Sequence, residues 1–158
     1  MRVEIDQSGR VEDLSSGTAV AFTNGCSGAI YITAGEKRIV TRYLKSKIVF
    51  FQNYAPLFFA ALVCLLINRK PFGSILIDEE YTGKFSIIEK KIVGQFGASK
   101  VVNIAFGRIG KRSPAHNLAI NTLRNKGRGA ARISAKNVIR LFAIKQAGPR
   151  RRTHRVSR

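Results

Sequence analysis

Acidic side chains are scarce and they stop early. The 158-residue chain has 9 Asp and Glu against 28 Lys and Arg, a formal net charge of +19, and its last acid is Glu89. Residues 90 to 158 therefore hold 18 basic residues and no carboxylate, whereas residues 1 to 89 hold 10 basic residues and all the acids. That asymmetry excludes a cationic partner for the second half and points to a polyanion, with nucleic acid as the default. The first half keeps carboxylates for chemistry or folding. Cysteine is almost as rare: Cys26 and Cys64 stand apart without a CxxC or a Cys/His cluster. Neither a zinc site nor a disulfide framework is suggested, and a reducing intracellular compartment is expected, cytoplasmic or nucleoid-associated. Arg2, Glu4 and Asp6 follow one another too closely for a secretory leader.

Long hydrophobic runs are limited to one, residues 57 to 67, all apolar. As a helix it measures about 16 Å at 1.5 Å per residue, against about 30 Å for a bilayer core. Extending it back to Ile48 takes in Gln52, Asn53 and Pro56, so it reads as a buried core helix and no membrane partner is expected. With 45% hydrophobic residues the chain is no protamine-like polycation. One domain is expected over residues 1 to 145, and a disordered basic tail over 146 to 158.

Residues 2 to 6 alternate and read as a strand with Asp6 at its end, before a turn at Gln7, Ser8 and Gly9. Residues 18 to 23 and 29 to 33 read as strands joined by hairpin chemistry at Asn24, Gly25 and Gly28. From Gly35 the period becomes helical, with Ile39, Val40, Tyr43, Leu44 and Ile48 apolar and Lys37, Arg38, Arg42, Lys45 and Lys47 on a wet face. Residues 74 to 77 form a buried strand running into Asp78, Glu79 and Glu80. Residues 85 to 96 read as a helix ended by Gly97, and residues 101 to 106 as another strand. Ser113 and Pro114 open a helix as N-cap and first residue, and Gly127 stops it. A last helix runs from Ser134 through Phe142. Single helices alternating with strands imply a partly parallel sheet covered by helices.

Acids thus fall at the ends of the first and fourth strands, and a polar cluster opens the last core helix. In this the chain resembles the ribonuclease H-like superfamily, and within it the RuvC-type Holliday junction resolvases. The segments that carry the resemblance are Val3-Glu4-Ile5-Asp6, Ile75-Leu76-Ile77-Asp78-Glu79 and Ser113-Pro114-Ala115-His116-Asn117-Leu118-Ala119-Ile120, while the likeness in topology covers roughly residues 1 to 126. It implies an α/β fold, with a mixed sheet of three antiparallel strands followed by alternating helices and strands, and here a basic C-terminal extension. It further implies Mg²⁺ or Mn²⁺ as cofactor, held by Asp6, by Asp78 or Glu79, and by His116, with those four residues catalytic. Two-metal cleavage of a phosphodiester needs hard oxygen ligands from separate strands converging on ions about 3.5–4 Å apart. No acid follows Glu89, so in the last helix only His116 or Ser113 can contribute, and an imidazole ligand favours Mn²⁺.

Arg108, Lys111, Arg112, Arg124, Lys126, Arg128 and Arg132 surround that helix and read as phosphate contacts. The expected activity is endonucleolytic cleavage of structured or branched nucleic acid, DNA junctions above all, and a homodimer would suit a symmetrical junction. Each residue also has a structural reading: Asp6 as a turn former, the three acids as counter-charges for Arg, His116 as a helix-start residue. Those readings together give the alternative of a non-catalytic nucleic-acid-binding protein, such as a ribosomal or chromatin component.

Overall fold

The computed structural model describes residues 2–47, 53–68, 72–97 and 101–143. Three antiparallel-connected strands come first, β1 (Arg2–Ser8), β2 (Thr18–Thr23) and β3 (Ser27–Ile32), followed by helices α1 (Ala34–Lys47) and α2 (Tyr54–Ile67). Then come β4 (Phe72–Asp78), α3 (Phe85–Phe96), β5 (Val101–Gly107), α4 (Pro114–Arg124), β6 (Ala131–Arg132) and α5 (Ala135–Ala143). The sheet order is β5-β4-β1-β2-β3-β6, with β2 antiparallel to both neighbours and β4, β5 and β6 parallel to the strands they join. The chain is thus an α/β protein with a six-stranded mixed sheet and five helices.

Alternation along the strands sends two residue sets to two faces. Val3, Ile5, Val20, Phe22, Ile30, Ile32, Ile75 and Ile77 share one core with α2. That helix is apolar around its whole circumference, as a helix enclosed on all sides must be, and Phe58, Phe59, Leu62, Val63 and Ile67 are fully buried. No helix among the described residues is long and apolar enough to cross a membrane. Val40 and Leu44 of α1, Ile88 and Ile92 of α3, and Ala135 and Val138 of α5 complete this layer.

Among the described residues, the opposite face carries α4. It lies over β1, β2 and β3, on a seam of small side chains: buried Ala19 and Ala21 on the sheet, buried Ala115 and Ala119 on the helix. In register, Asp6 faces Ala21 and Ser8 faces Ala19. The helix therefore approaches the strand that bears Asp6 with nothing bulky between them.

Several boundaries differ from the sequence reading, each for a physical reason. Gln7 and Ser8 belong to β1 and form no turn, because they pair with Val20 and Ala19, and the chain reverses only from Gly9 at φ +75°. The two helices expected between the third and fourth strands, from Gly35 and over residues 57 to 67, are α1 and α2, the second starting three residues earlier at Tyr54. β6 was not expected, its two residues being too short for a period to show, yet they pair with Ile30 and Tyr31. Ile39 is 49% exposed, whereas Lys37, placed on the wet face, is fully buried in line with Val40, Thr41 and Leu44. Ile48 and the tail expected over residues 146 to 158 lie outside the described residues. Cys26 and Cys64 are both free thiols, Cys64 buried.

The end of α4 is fixed by a Schellman motif. Gly127 N–H donates to Thr122 O and Lys126 N–H to Leu123 O, with Lys126 in the left-handed region at φ +52°. Gly127, at φ +75°, rests against Tyr31, whose Cδ1 would lie 2.4 Å from any Cβ added there. Gly127→Ala is expected to cost about 2–4 kcal/mol, combining left-handed strain with overpacking, as measured by urea unfolding. A stability within ~0.5 kcal/mol of wild type would show that this contact relaxes freely.

Candidate active site

Asp6 and Asp78 come together because β1 and β4 are parallel neighbours. Ile5 pairs with Ile77, so each aspartate is the next residue on its strand, both point to the α4 face, and the strands run about 4.8 Å apart. In open α/β sheets the carboxyl ends of parallel strands are where ligands gather. β5 continues the row, with Gly107 opposite Asp78.

α4 supplies the third element. Ser113 caps it, its side chain accepting from Ala115 N–H at 3.2 Å, and Pro114 takes the first helical position, where no N–H is needed. The same hydroxyl donates to Glu4 Oε2 at 2.6 Å, which ties the helix start to β1. One turn on, His116 Nδ1 meets Asp6 Oδ2 at 2.7 Å, with the imidazole a quarter exposed and the carboxylate almost wholly buried. The other Asp6 oxygen accepts from Gln7 N–H at 2.7 Å. Burial is the main influence on Asp6 and raises its carboxyl above the ordinary aspartate value. The bond from His116 opposes that rise, while the charge of Asp78 adds to it.

Asp78 Oδ1 accepts from Ile109 N–H at 2.7 Å, which anchors the β5–α4 loop, and no hydrogen bond to Oδ2 occurs among the described residues. That loop carries Arg108, Lys111 and Arg112, all exposed. Arg124, Lys126, Arg128 and Arg132 are exposed too, at the far end of α4 about 16 Å away, the length of eleven helical residues. Arg132 is further held by Lys126 O, to which its Nη2 donates at 3.0 Å, and it stacks over the Tyr31 ring.

The acids after β4 divide. Glu79 turns outward to Arg108 at 3.6 Å, an exposed pair. Glu80 turns inward. It meets Arg10 Nε at 3.6 Å, and its carboxyl is raised above the usual range chiefly by burial, opposed by Arg10 and by a hydrogen bond from Gln7, with Asp78 and Asp6 pushing it further up. Among the expected residues, His116 thus bonds Asp6, and Asp78 lies on the neighbouring strand, Glu79 turns to Arg108, and Glu80, which was not expected, is the acid of the turn that lies near Asp6 and Asp78. The turn over residues 79 to 83 decides this, and strand periodicity does not reach into a turn.

A polar chain rims the same end of the sheet. Gln7 Nε2 donates to the Tyr81 hydroxyl at 3.2 Å, which donates to Glu12 Oε2 at 3.2 Å, and Glu12 also faces Arg10 at 3.7 Å. Gln7 Oε1 is buried and has no hydrogen-bond partner among the described residues. Behind the rim, Lys37 Nζ enters the β1–β2 loop and donates to the carbonyls of Arg10 and Ser16, each at 2.8 Å, and of Asp13. Burial lowers its ammonium to about 8, opposed by Asp13 and Glu12. No three His, Cys, Asp or Glu side chains among the described residues are already gathered around a point that could hold an ion.

Comparison with protein-family models finds no match, and comparisons with curated proteins and with solved structures likewise find none.

Proposed function

We propose that the chain is a metal-dependent endonuclease of structured or branched nucleic acid, DNA junctions foremost, built on a ribonuclease H-like domain. The observation that carries this reading is the placement of Asp6 and Asp78 side by side at the carboxyl ends of adjacent parallel strands, beneath a loop of exposed cations. A merely structural pair of aspartates would be kept apart, since adjacent carboxylates repel and both cost free energy to bury. The mixed sheet and its start on three antiparallel strands agree with the resemblance noted in the sequence.

The donors fit Mg²⁺ or Mn²⁺ in kind. Among the described residues, Asp78 has an oxygen without a hydrogen bond, Glu80 is paired with Arg10 at 3.6 Å, and Gln7 Oε1 is an orphaned buried acceptor. Asp6, Asp78 and Glu80 would hold the cation, where the sequence left Asp78 and Glu79 as alternatives. Bound there, the metal would polarise the phosphate and lower the pKa of a coordinated water. The protein's own contribution is to hold and move protons and to orient the strand. With Asp6 accepting at Nδ1, His116 keeps Nε2 free, either as a ligand or as the acceptor of the proton from the attacking water. Arg108, Lys111 and Arg112 would seat the phosphates that flank the scissile bond.

The test is cleavage of labelled four-way junction, duplex, single-stranded and RNA–DNA hybrid substrates with Mg²⁺, Mn²⁺ or EDTA, comparing wild type with Asp6→Asn. Metal-dependent cutting lost in the variant is the expected result. Tight, salt-sensitive binding without cutting under either metal would leave the non-catalytic binding protein instead. Within the same assay Glu80→Gln is expected to lower the rate about 10–100-fold, as loss of a ligand or its support does. Glu79→Gln should stay within about twofold, its partner Arg108 being an exposed surface pair. Equal losses for both would show that the turn does not sort them.

A further inference from the structure

The outer side of α4 carries a row of side chains to which the candidate site gives no task. Pro114, Asn117, Asn121 and Arg124 are all exposed, and their places at i, i+3, i+7 and i+10 keep them on one face of the helix. The buried residues Ala115, Ala119 and Thr122 lie on the side turned to the sheet. The row therefore points away from the sheet, and α4 rises from that surface while α1, α2, α3 and α5 belong to the other layer.

The two asparagines do nothing for the fold. Neither side chain makes a hydrogen bond among the described residues. Asparagine is also a poor helix former, because its amide competes for backbone groups. A face kept only for solubility would carry Lys, Glu or Gln at less cost. What Asn117 and Asn121 offer instead is an uncharged amide with both donors and an acceptor at its tip. Lys111 and Arg112 precede the helix, Arg124, Lys126 and Arg128 close it, and all five are exposed. No acid stands on α4 or anywhere after Glu89. A hydrogen-bonding stretch between two groups of cations complements a polyanion that shows polar edges between two rows of charge.

Resting on the nucleic-acid reading above, we propose that α4 lies in the major groove of duplex DNA, where Asn117 and Asn121 each read an adenine. A helix with its side chains is about 10–12 Å across. The major groove is about 12 Å wide and the minor groove about 6 Å, so only the first admits it. In the major groove adenine presents N7 as acceptor and its N6 amino group as donor, and one asparagine amide meets both. The two residues are about 6 Å apart along the helix, close to two base-pair steps of about 3.4 Å. Arg124 follows them on the same face and reaches the phosphates at the groove edge together with Lys126 and Arg128. Since His116, bonded to Asp6, directly precedes Asn117, the adenines stand at a fixed offset from the candidate site.

The experiment selects duplexes with a random centre of about two helical turns for binding to the full chain in EDTA, so that no cutting intervenes, and sequences those retained. Wild type should enrich adenines at two positions about two steps apart, each preferred about 5–100-fold, the range of one bidentate contact. Asn117→Ala and Asn121→Ala should each lose the preference at one position and keep the other, with a melting temperature no lower than wild type, alanine being the better helix former. Replacing an enriched adenine by 7-deazaadenine, which removes only the N7 acceptor, should weaken wild type and have no effect on the matching alanine variant. Duplex bound without enrichment, or enrichment that survives both substitutions or the deaza base, would overturn the proposal and leave the nucleic-acid reading standing. So would a change of oligomeric state on either substitution, which would assign this face to a second copy of the chain. Absence of duplex binding would overturn both readings, whereas enrichment without metal-dependent cleavage would uphold this proposal and sink the nuclease.

Discussion

Asp6→Asn is expected to abolish metal-dependent cutting, by roughly a thousandfold or more, and at the same time to make the protein more stable. The two effects share one cause. Asp6 is 2% exposed, and its raised carboxyl means that the folded state resists the charge that chemistry would require. A carboxyl whose folded value exceeds its unfolded one contributes stability that is complete below the unfolded value. That contribution is lost as pH rises through the folded value. Once Asp6 ionises, the wild type has lost it. The neutral amide keeps a hydrogen bond to His116 and carries no such penalty, so a gain of about 1 kcal/mol, or 2–4 °C in melting temperature, is expected at pH 7. The difference from wild type should shrink on acidification. A variant less stable than wild type at pH 7 would show Asp6 to be a structural partner of His116 and not a strained functional group.

The second large effect is expected at Lys37. Lys37→Met keeps much of the aliphatic volume but strips three carbonyls, of Arg10, Asp13 and Ser16, of their common donor. Each buried acceptor left unpaired costs about 1–3 kcal/mol, and partial rehydration of the loop brings the expected total to about 3–5 kcal/mol. Cutting should fall as well, because the loop so fixed carries Arg10, which holds Glu80. There is also a signature in pH. Between about 8 and the ordinary lysine value near 10.5 the folded chain binds fewer protons at this site than the unfolded chain. Stability therefore gains from this group as pH rises across that window. Plotted against pH, the wild-type minus variant difference should slope upward there, and a flat difference would remove the buried ammonium from the account.

Lys37 also illustrates where the sequence could be read and where it could not. Its spacing to Val40, Thr41 and Leu44 is that of a core position, and the signal was present in the sequence; side-chain type outweighed it, because a lysine with three backbone carbonyls to satisfy is rare. Strand and helix spans defined by period, β2 and α3 among them, were legible to the residue, as was the Ser113–Pro114 start of α4. That Asp6 and His116 meet could be read from their places in regular elements, whereas Asp78 and Glu79 were left interchangeable at the strand end, and Glu80 went unnamed because a turn sets its direction. The pairing of Ser113 with Glu4 spans more than a hundred residues and has no local trace.

The alanine seam under α4 has a consequence for how this protein can change. Helices packed through larger side chains sit up to about 10 Å from their neighbours, against about 8 Å through small ones. The bond of 2.7 Å between His116 and Asp6 has no slack for such a difference. Substitutions that alter charge at the rim leave that spacing as it is, and an ancestor could sample them one by one. An added methyl or two at Ala19, Ala21, Ala115 or Ala119 would instead part the imidazole from the carboxylate while leaving every polar residue in place. The proposed chemistry would then be lost through volume alone, at positions that bear none of it.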